Sequence, residues 1–218
     1  MNKEIKKVKD WIDEYHEGVR YGLEGKVILE ESSPFQRITI FESKRYGKAL
    51  LLDDCWMTAE KSEKYYHECL IHPALSGSKK IDNILIIGGG DGGSARECLK
   101  YQEVKSVDLI EIDLRVIELS KKYLPKIGGN SWSDSRLNLK IKNGIDWVKN
   151  TKNNFYDVII IDGADPIGPA KELYSDYFLK DCKRILKTGG VLATQSESPE
   201  SFHKIHINII KNLRKIFD

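Results

Sequence analysis

The chain has 218 residues, a hydrophobic content of 40% and a mean hydropathy of -0.43, which suits one good-sized domain with a small appendage. Its 35 basic residues nearly balance 33 acidic ones and form no long basic run, so nucleic acid is not expected as a partner. No apolar run approaches the ~20 residues that cross a bilayer, and the N-terminus lacks the apolar core of a secretory signal. A cytoplasmic protein with no membrane partner is expected.

Cysteine usage agrees with that expectation. The four cysteines form no C-x-x-C pair, and the five histidines form no ligand cluster with them. Thiols in a reducing compartment and no metal site are therefore expected.

The N-terminal part, residues 1–61, is predicted to combine a helix with a small antiparallel β module. Residues 1–17 are predicted to form an amphipathic helix with Trp11 and Ile12 on its apolar side. Short strands are predicted at 26–30, 37–41 and 48–52, with turns between them.

Residues 62–218 are predicted to form a second domain, beginning with a helix over 62–75. Beyond it, strands alternate with helices, which indicates βαβ units and a parallel sheet covered on both faces. The predicted strands are 83–87, 105–112, 137–141, 156–162 and 190–195. The predicted helices are 93–101, 114–123, 145–150, 171–186 and 201–217.

A glycine-rich loop follows the first of these strands. It satisfies G-x-G-x-x-G through Gly88, Gly90 and Gly93, and the next strand ends in Glu111, where an acid usually accepts hydrogen bonds from ribose hydroxyls. Asp91 lies within the loop. Its carboxylate would repel a pyrophosphate but suits a ligand with an ammonium and a sulfonium, which favours a methionine-derived nucleoside over a dinucleotide.

Two further strand ends carry polar residues. Asn143-Gly144 follows the third strand, where an adenine could be read or an ordinary Asn-Gly turn could form. The fourth strand ends in Asp162, three residues before Asp165. Two carboxylates at the carboxyl end of a buried strand make a cation trap or an acid/base pair, and a helix cap with a solvated charge is the alternative.

These motifs together resemble the polyamine aminopropyltransferases. The likeness rests on the glycine loop and on the loop that runs from Asp162 through Pro166 to Pro169. It extends to the segments Ser33-Pro34-Phe35-Gln36, Tyr65-Tyr66-His67-Glu68 and Gln195-Ser196-Glu197-Ser198.

The resemblance implies an α/β fold: a Rossmann-like, class I methyltransferase-type parallel sheet behind the N-terminal β module. It implies transfer of an aminopropyl group from decarboxylated S-adenosylmethionine, a co-substrate, to putrescine, with no metal or other cofactor. The products would be spermidine and 5′-methylthioadenosine.

The resemblance also assigns roles to single positions. Asp162 falls on the catalytic proton acceptor, and Asp165 on its partner in holding the diamine. The other implied diamine contacts are His67, Tyr66 and Gln195. The implied nucleoside contacts are Gln36, Gly88, Gly90, Asp91, Glu111, Asn143, Gly144 and Pro169.

Two departures from the family pattern have consequences. Asn143 stands where the family commonly has Asp, which removes an acceptor for the adenine amino group unless the amide oxygen replaces it. Family members also continue beyond the helix that ends at Asp218, so the last two strands are expected to be missing and the strand at 190–195 to form an open apolar edge. A homodimer is therefore expected, through this edge or the N-terminal strands.

Other interpretations remain at this point. His67 could be a packing histidine and Gln195 a strand cap. At the level of the whole protein, an S-adenosylmethionine-dependent methyltransferase and a catalytically impaired nucleoside- or polyamine-binding homologue are the alternatives. The acceptor could also be agmatine, cadaverine or spermidine.

Overall fold

The computed structural model of the protein describes residues 10–16, 18–164, 168–200 and 202–217. It divides into two compact units, Met1–Ser62 and Glu63–Asp218, and each is described by itself. Within the described ranges, no helix is both long enough and apolar enough to cross a membrane.

The N-terminal unit is a five-stranded antiparallel sheet in the order β1-β2-β3-β4-β5. Alternating β-branched and leucine side chains fill its buried face, with Ile38 and Ile40 fully buried and Leu50 2% exposed. The strands are Asp10–His16 (β1), Val19–Ser32 (β2), Arg37–Ser43 (β3), Gly47–Leu52 (β4) and Cys55–Ala59 (β5).

The helix predicted over residues 1–17 is wrong where the structure describes it, because residues 10–16 form β1. This strand pairs with β2 in unbroken register, from Asp10 opposite Gly25 to His16 opposite Val19. Gly18, with a φ of +89°, closes the hairpin. The cross-strand hydrogen bonds outweigh a helical spacing of apolar residues that spans only two turns. Residues 1–9 and 17 lie outside the described part.

The C-terminal unit contains a five-stranded parallel sheet in the order β10-β9-β6-β7-β8. The strands are Asn83–Gly88 (β6), Ser106–Glu111 (β7), Leu137–Ile141 (β8), Tyr156–Asp162 (β9) and Leu186–Thr194 (β10). The helices are Glu63–Gly77 (α1), Gly93–Leu99 (α2), Leu114–Tyr123 (α3), Pro125–Gly128 (α4), Gly144–Asn150 (α5), Asp176–Ile185 (α6) and His203–Ile216 (α7), with short 3-10 helices at Gly129–Ser133 and Gly168–Tyr174.

Both faces of this sheet are covered, as the unbroken apolar runs of its central strands predict. Along β6, Ile84 and Ile86 pack into one buried cluster with residues of α1 and α2, whereas Leu85 and Ile87 pack into the opposite one with residues of α5 and α6. The predicted fold class is therefore confirmed.

The chain order places a crevice beside β6. From β6 the chain builds outward through β7 and β8, then crosses to the other side of β6 for β9 and β10. Ligands of open α/β sheets bind outside the carboxyl ends of the strands at such a reversal. Gly88 and Asp162, the last residues of β6 and β9, lie opposite each other there.

Candidate active site

A backbone hydrogen bond from the glycine loop links the end of β6 to the end of β9. The Gly89 N–H donates to the Asp162 carbonyl at 2.8 Å. Gly88 has a φ of +85°, and a Cβ at this position would lie 2.1 Å from the same carbonyl oxygen. Glycine is required here because only its backbone can both adopt this conformation and approach the neighbouring strand so closely.

Asp162 is the carboxylate at the centre of the site. The Tyr66 hydroxyl donates to its Oδ1 at 2.7 Å. Burial raises the pKa of Asp162. The positive charge of His67 opposes this rise, the negative charge of Asp91 adds to it, and the hydrogen bond from Tyr66 opposes it, so that the net shift of the pKa is upward. The site therefore makes Asp162 a better base than an ordinary aspartate.

Tyr66 acts as a hydrogen-bond donor to that carboxylate. Desolvation of its hydroxyl and the charge of Asp162 raise its pKa well above the usual value, so the phenol stays protonated. Its pKa is raised further by Tyr174, a buried residue whose hydroxyl donates to the Ala164 carbonyl at 3.4 Å. Tyr174 was not predicted from the sequence, where it carries no motif signal.

His67 is buried between two carboxylates. Its Nδ1 lies 2.7 Å from Glu63 Oε2, and its Nε2 lies 3.4 Å from Asp91 Oδ2. Burial alone would lower the pKa of His67, but Asp91 and Glu63 overcome this effect and raise it to about 10. Glu63 and its partner Arg96 are missed by the sequence analysis, although the i, i+4 spacing of Glu63 and His67 on a helix was available as a signal.

Asp91 is fixed by the start of α2. Its Oδ1 accepts the Gly93 N–H at 2.8 Å, so the loop carboxylate also caps the helix that follows. The adjacent Gly92, with a φ of +82°, lies against the Trp132 ring, and a Cβ there would come within 2.4 Å of it. The Lys121 ammonium lies 4.5 Å from the centre of the same ring.

Glu111 lies at the end of β7 beside the glycine loop. Its Oε1 accepts the Asp113 N–H at 2.9 Å, and a Cβ on Gly90 would lie 2.9 Å from its Oε2. Burial raises the pKa of Glu111 to about 7. Its contact with ribose hydroxyls stays a prediction.

Asn143 is the N-cap of α5. Its Oδ1 accepts the N–H groups of Ile145 at 2.8 Å and Asp146 at 3.3 Å. Gly144 packs on β6, where a Cβ would lie 2.5 Å from Ile87 Cγ2. We expect the amide oxygen of Asn143 to replace the carboxylate that the family commonly has here. In this structure that oxygen already accepts backbone hydrogen bonds.

The other predicted contacts are placed less directly. Gln195 follows β10, and its Oε1 accepts the Glu197 N–H at 2.9 Å, the strand-cap arrangement that the sequence left open. Gln36 belongs to the N-terminal unit, where its backbone N–H donates to Ser33 Oγ at 3.1 Å. Pro169 lies in the 3-10 helix Gly168–Tyr174, where its backbone alone is described, and Asp165 lies outside the described residues.

The cluster of His67, Asp91 and Asp162 has ligand atoms within 4.8 Å of one another, a spacing that a metal ion could use. Both ring nitrogens of His67 face carboxylates, however, an arrangement that favours N–H donors over a metal ligand. The two aspartates suit an alkyl ammonium, which needs hydrogen-bond acceptors and negative charge.

Comparisons with known proteins agree with this geometry. A family model described as the spermine/spermidine synthase domain matches residues 63–218, and one described as the spermidine synthase tetramerisation domain matches residues 10–60. The polyamine aminopropyltransferase of Prochlorococcus marinus strain NATL1A is 83% identical over 218 residues, which are 100% of this chain and 76% of that protein. Its counterpart from strain MIT 9313 is 58% identical over 207 residues, 95% of this chain and 72% of that protein.

Solved structures show the same relationship. A crystal structure of spermidine synthase in complex with the transition state analogue AdoDATO has a TM-score of 0.92 at 34% identity, covering 100% of this chain and 75% of that one. The crystal structure of spermidine synthase from Thermotoga maritima has a TM-score of 0.90 at 34% identity. The match covers 100% of this chain and 74% of that one. The chain thus spans about three quarters of the length of these relatives.

The fold and the switch-point site define a methyltransferase-like α/β enzyme. Within that class, the chain belongs to the spermine/spermidine synthase family, which confirms the resemblance seen in its motifs.

Proposed function

We propose that this enzyme transfers the aminopropyl group of decarboxylated S-adenosylmethionine to putrescine, giving spermidine and 5′-methylthioadenosine. The observation that carries the proposal is the Asp162 carboxylate, which ends β9 at the switch point and lies with Asp91 and His67 in one acidic cluster that suits an ammonium group. Glu111 supplies the ribose acceptor at the end of β7, on the other side of β6, and the glycine loop lies between the two carboxylates.

The reaction is a displacement at carbon. The amine nitrogen forms a bond to the aminopropyl carbon, the carbon–sulfur bond breaks, and its electron pair neutralises the sulfonium. The departing thioether needs little help, but an alkyl ammonium with a pKa of about 10.4 must lose a proton before or as it attacks. Asp162 accepts that proton, and its raised pKa makes it a stronger base than a free aspartate. Asp165 is proposed to hold the diamine in line.

The first test replaces the proposed base. Asp162→Asn keeps the shape of the side chain and accepts no proton, so turnover should fall by about 10²- to 10⁴-fold. Binding of 5′-methylthioadenosine, measured by calorimetry, should stay close to that of the unmodified enzyme. Asp176→Asn, at a 47% exposed aspartate in the first turn of α6, is the matched control and should retain turnover. Retained turnover in Asp162→Asn would refute the assignment.

A second assay separates the alternative functions. The protein is incubated with putrescine and either decarboxylated or intact S-adenosylmethionine, and 5′-methylthioadenosine is followed. Release with the decarboxylated compound alone supports the proposal. Transfer of a methyl group from the intact compound would favour a methyltransferase, and binding without release would favour an impaired homologue. Parallel reactions with agmatine, cadaverine and spermidine test the choice of acceptor.

We propose that the reaction uses no metal ion. Occupation of both His67 nitrogens by carboxylates supports this for the acidic cluster. Turnover should be unchanged after dialysis against EDTA, and a loss restored by a divalent cation would contradict the proposal.

We also propose that the protein forms a homodimer. β10 lies at one edge of the parallel sheet and β1 at one edge of the antiparallel sheet, and each such edge can pair with a second chain. The match of residues 10–60 to a tetramerisation domain supports self-association more generally. Light scattering should report twice the 25.0 kDa chain mass. A monomer would contradict self-association, and a tetramer would contradict the dimer.

A cytoplasmic location is proposed from the thiols. Cys98 and Cys182 are buried, and burial raises the pKa of both, so they stay protonated and inert in a reducing compartment. Cell fractionation tests the location.

A further inference from the structure

The buried ion pair behind His67 has no part in the reaction as proposed so far. Glu63 and His67 lie one turn apart on α1 and are 5% and 1% exposed. Arg96 of α2 holds Glu63 with both ends of its guanidinium, Nη1 to Oε1 at 3.0 Å and Nη2 to Oε2 at 2.9 Å. Its Nε also donates to Glu97 at 2.9 Å. The pair is thus anchored from a second helix.

The hydrogen bonds determine how many protons His67 carries. An ionised carboxylate can only accept, so a ring nitrogen that faces one must donate. Nδ1 faces Glu63, which Arg96 keeps ionised, and Nε2 faces Asp91. A neutral imidazole would leave one lone pair pointing at a carboxylate oxygen. With both carboxylates ionised, this geometry favours an N–H on each ring nitrogen, that is, an imidazolium.

The groups that surround the His67 ring agree with two protons on its nitrogens. Gly93, at the start of α2, lies so close that a Cβ would come within 2.2 Å of the ring, so the ring packs directly against this end of the helix. The charged and titratable groups that face it are Glu63 and Tyr66 of α1, Asp91 of the glycine loop and Asp162 of β9, with Arg96 acting through Glu63.

We infer that Glu63 and Arg96 are positioning residues that lock His67 as a fixed imidazolium, so that it serves as a cation and hydrogen-bond donor and never as the base. The cation balances Asp91 and Asp162, two carboxylates that would otherwise share a proton. Asp91 stays ionised for the substrate ammonium, and Asp162 stays ionised to accept the proton. The identity of this substrate rests on the proposed function, whereas the protonation of His67 does not.

The first test uses the unmodified protein. Imidazole signals of protein labelled with ¹⁵N-histidine are followed by NMR as pH rises, and the His67 signal is assigned by its absence in His67→Gln. His67 should keep an imidazolium signal from its ordinary pKa of 6.5 up to about 10. A neutral-imidazole signal in this interval would overturn the inference, whether or not the protein turns over any substrate.

The second test removes the anion behind the ring. Glu63→Gln should make the imidazolium signal disappear at lower pH and reduce kcat roughly 10- to 100-fold, with little change in KM for the nucleoside. The acidic limb of the kcat profile should move to higher pH, because Asp162 loses a neighbouring cation. Arg96→Lys keeps the positive charge but loses the two-nitrogen contact with Glu63. It should therefore shift the His67 signal and the kcat profile less than Glu63→Gln does.

The controls separate a positioning role from a structural one. Glu118→Gln, at a 49% exposed carboxylate that pairs with Arg115 at 2.7 Å on α3, should change neither readout. A Glu63→Gln protein that unfolds more easily but keeps the original His67 signal and pH profile would overturn the inference. If it does not fold, the titration of the unmodified protein decides. Absence of turnover in the unmodified enzyme would count against the proposed function alone.

Discussion

At the scale of single residues, the side-chain oxygen of Asn143 caps a helix at a position where an adenine amine would also need an acceptor. Both of its acceptor sites are used by the first turn of α5, so the group left for a ligand is the amide NH₂, a donor. An exocyclic adenine amine also donates. In this structure the Asn143 oxygen thus serves the helix, and its contact with the adenine amine stays a prediction.

Asn143→Asp should improve nucleoside binding. An aspartate caps the helix with one oxygen and leaves the second free to accept from the adenine amine. One added charge-assisted hydrogen bond should tighten binding of 5′-methylthioadenosine about 10-fold by calorimetry. Asn153→Asp, at a surface side chain that accepts from Arg184 at 2.9 Å, is the control and should leave the affinity unchanged. Equal or weaker binding in Asn143→Asp would show that adenine is not read at this position.

Four of the site residues predicted from the sequence share one property. Asp91, Glu111, Asn143 and Asp162 each lie at or just after the carboxyl end of a strand, and these ends meet at one edge of a parallel sheet. Glu63 and Arg96 lie inside helices far apart in the chain, so their pairing depends on how α1 and α2 pack. Position along the sequence carries no signal of that packing.

At the scale of elements, α2 begins directly against the His67 ring. Gly93→Ala would place a methyl carbon 2.2 Å from an imidazole that two carboxylates hold in place, so either the helix or the ring must move. We expect a loss of about 1–3 kcal/mol in the free energy of unfolding by urea, together with reduced turnover.

Gly77→Ala is the matched control for that change. The nearest atom to a Cβ there is Val191 Cγ2 at 3.8 Å, an ordinary contact. This variant should unfold like the unmodified protein. If Gly93→Ala has the same free energy of unfolding as the unmodified protein, the start of α2 can move aside for the added methyl group, and the expectation is wrong.

Element types were predicted best where a strand is buried on both sides. The central strands β6 and β9 come from unbroken apolar runs, whereas the sequence predicts a helix in place of β1 and no strand at β5. The predicted helix over 171–186 is also divided, because Ser175 caps a new helix by accepting the Phe178 N–H. Short or half-exposed segments depend on partners and caps, which periodicity does not report.

At the scale of the whole molecule, buried groups with shifted pKa values, His67 and Glu111 among them, make stability depend on pH. His67 has a pKa of about 10 in the folded protein against an ordinary 6.5, so its contribution is complete below pH 6.5 and is lost as pH rises towards 10. The pKa of Glu111 is raised from 4.5 to about 7, so burying its charge costs stability as pH rises through that interval.

Urea unfolding should therefore give a larger free energy at about pH 6 than at about pH 9. In His67→Gln, whose side chain at position 67 does not titrate, the difference should shrink to the part that Glu111 contributes. A free energy that does not change between these two conditions in the unmodified protein would contradict the assigned protonation of the buried site.

The packing of Trp132 against Gly92 has an optical consequence. An indole that rests on the glycine loop with a lysine ammonium over its face emits light that depends on both neighbours. A sulfonium nucleoside bound at the proposed site beside the loop should change the local field at that ring. Trp132 is one of four tryptophans, so with the other three replaced by phenylalanine its fluorescence should time the arrival and departure of substrate without an attached dye.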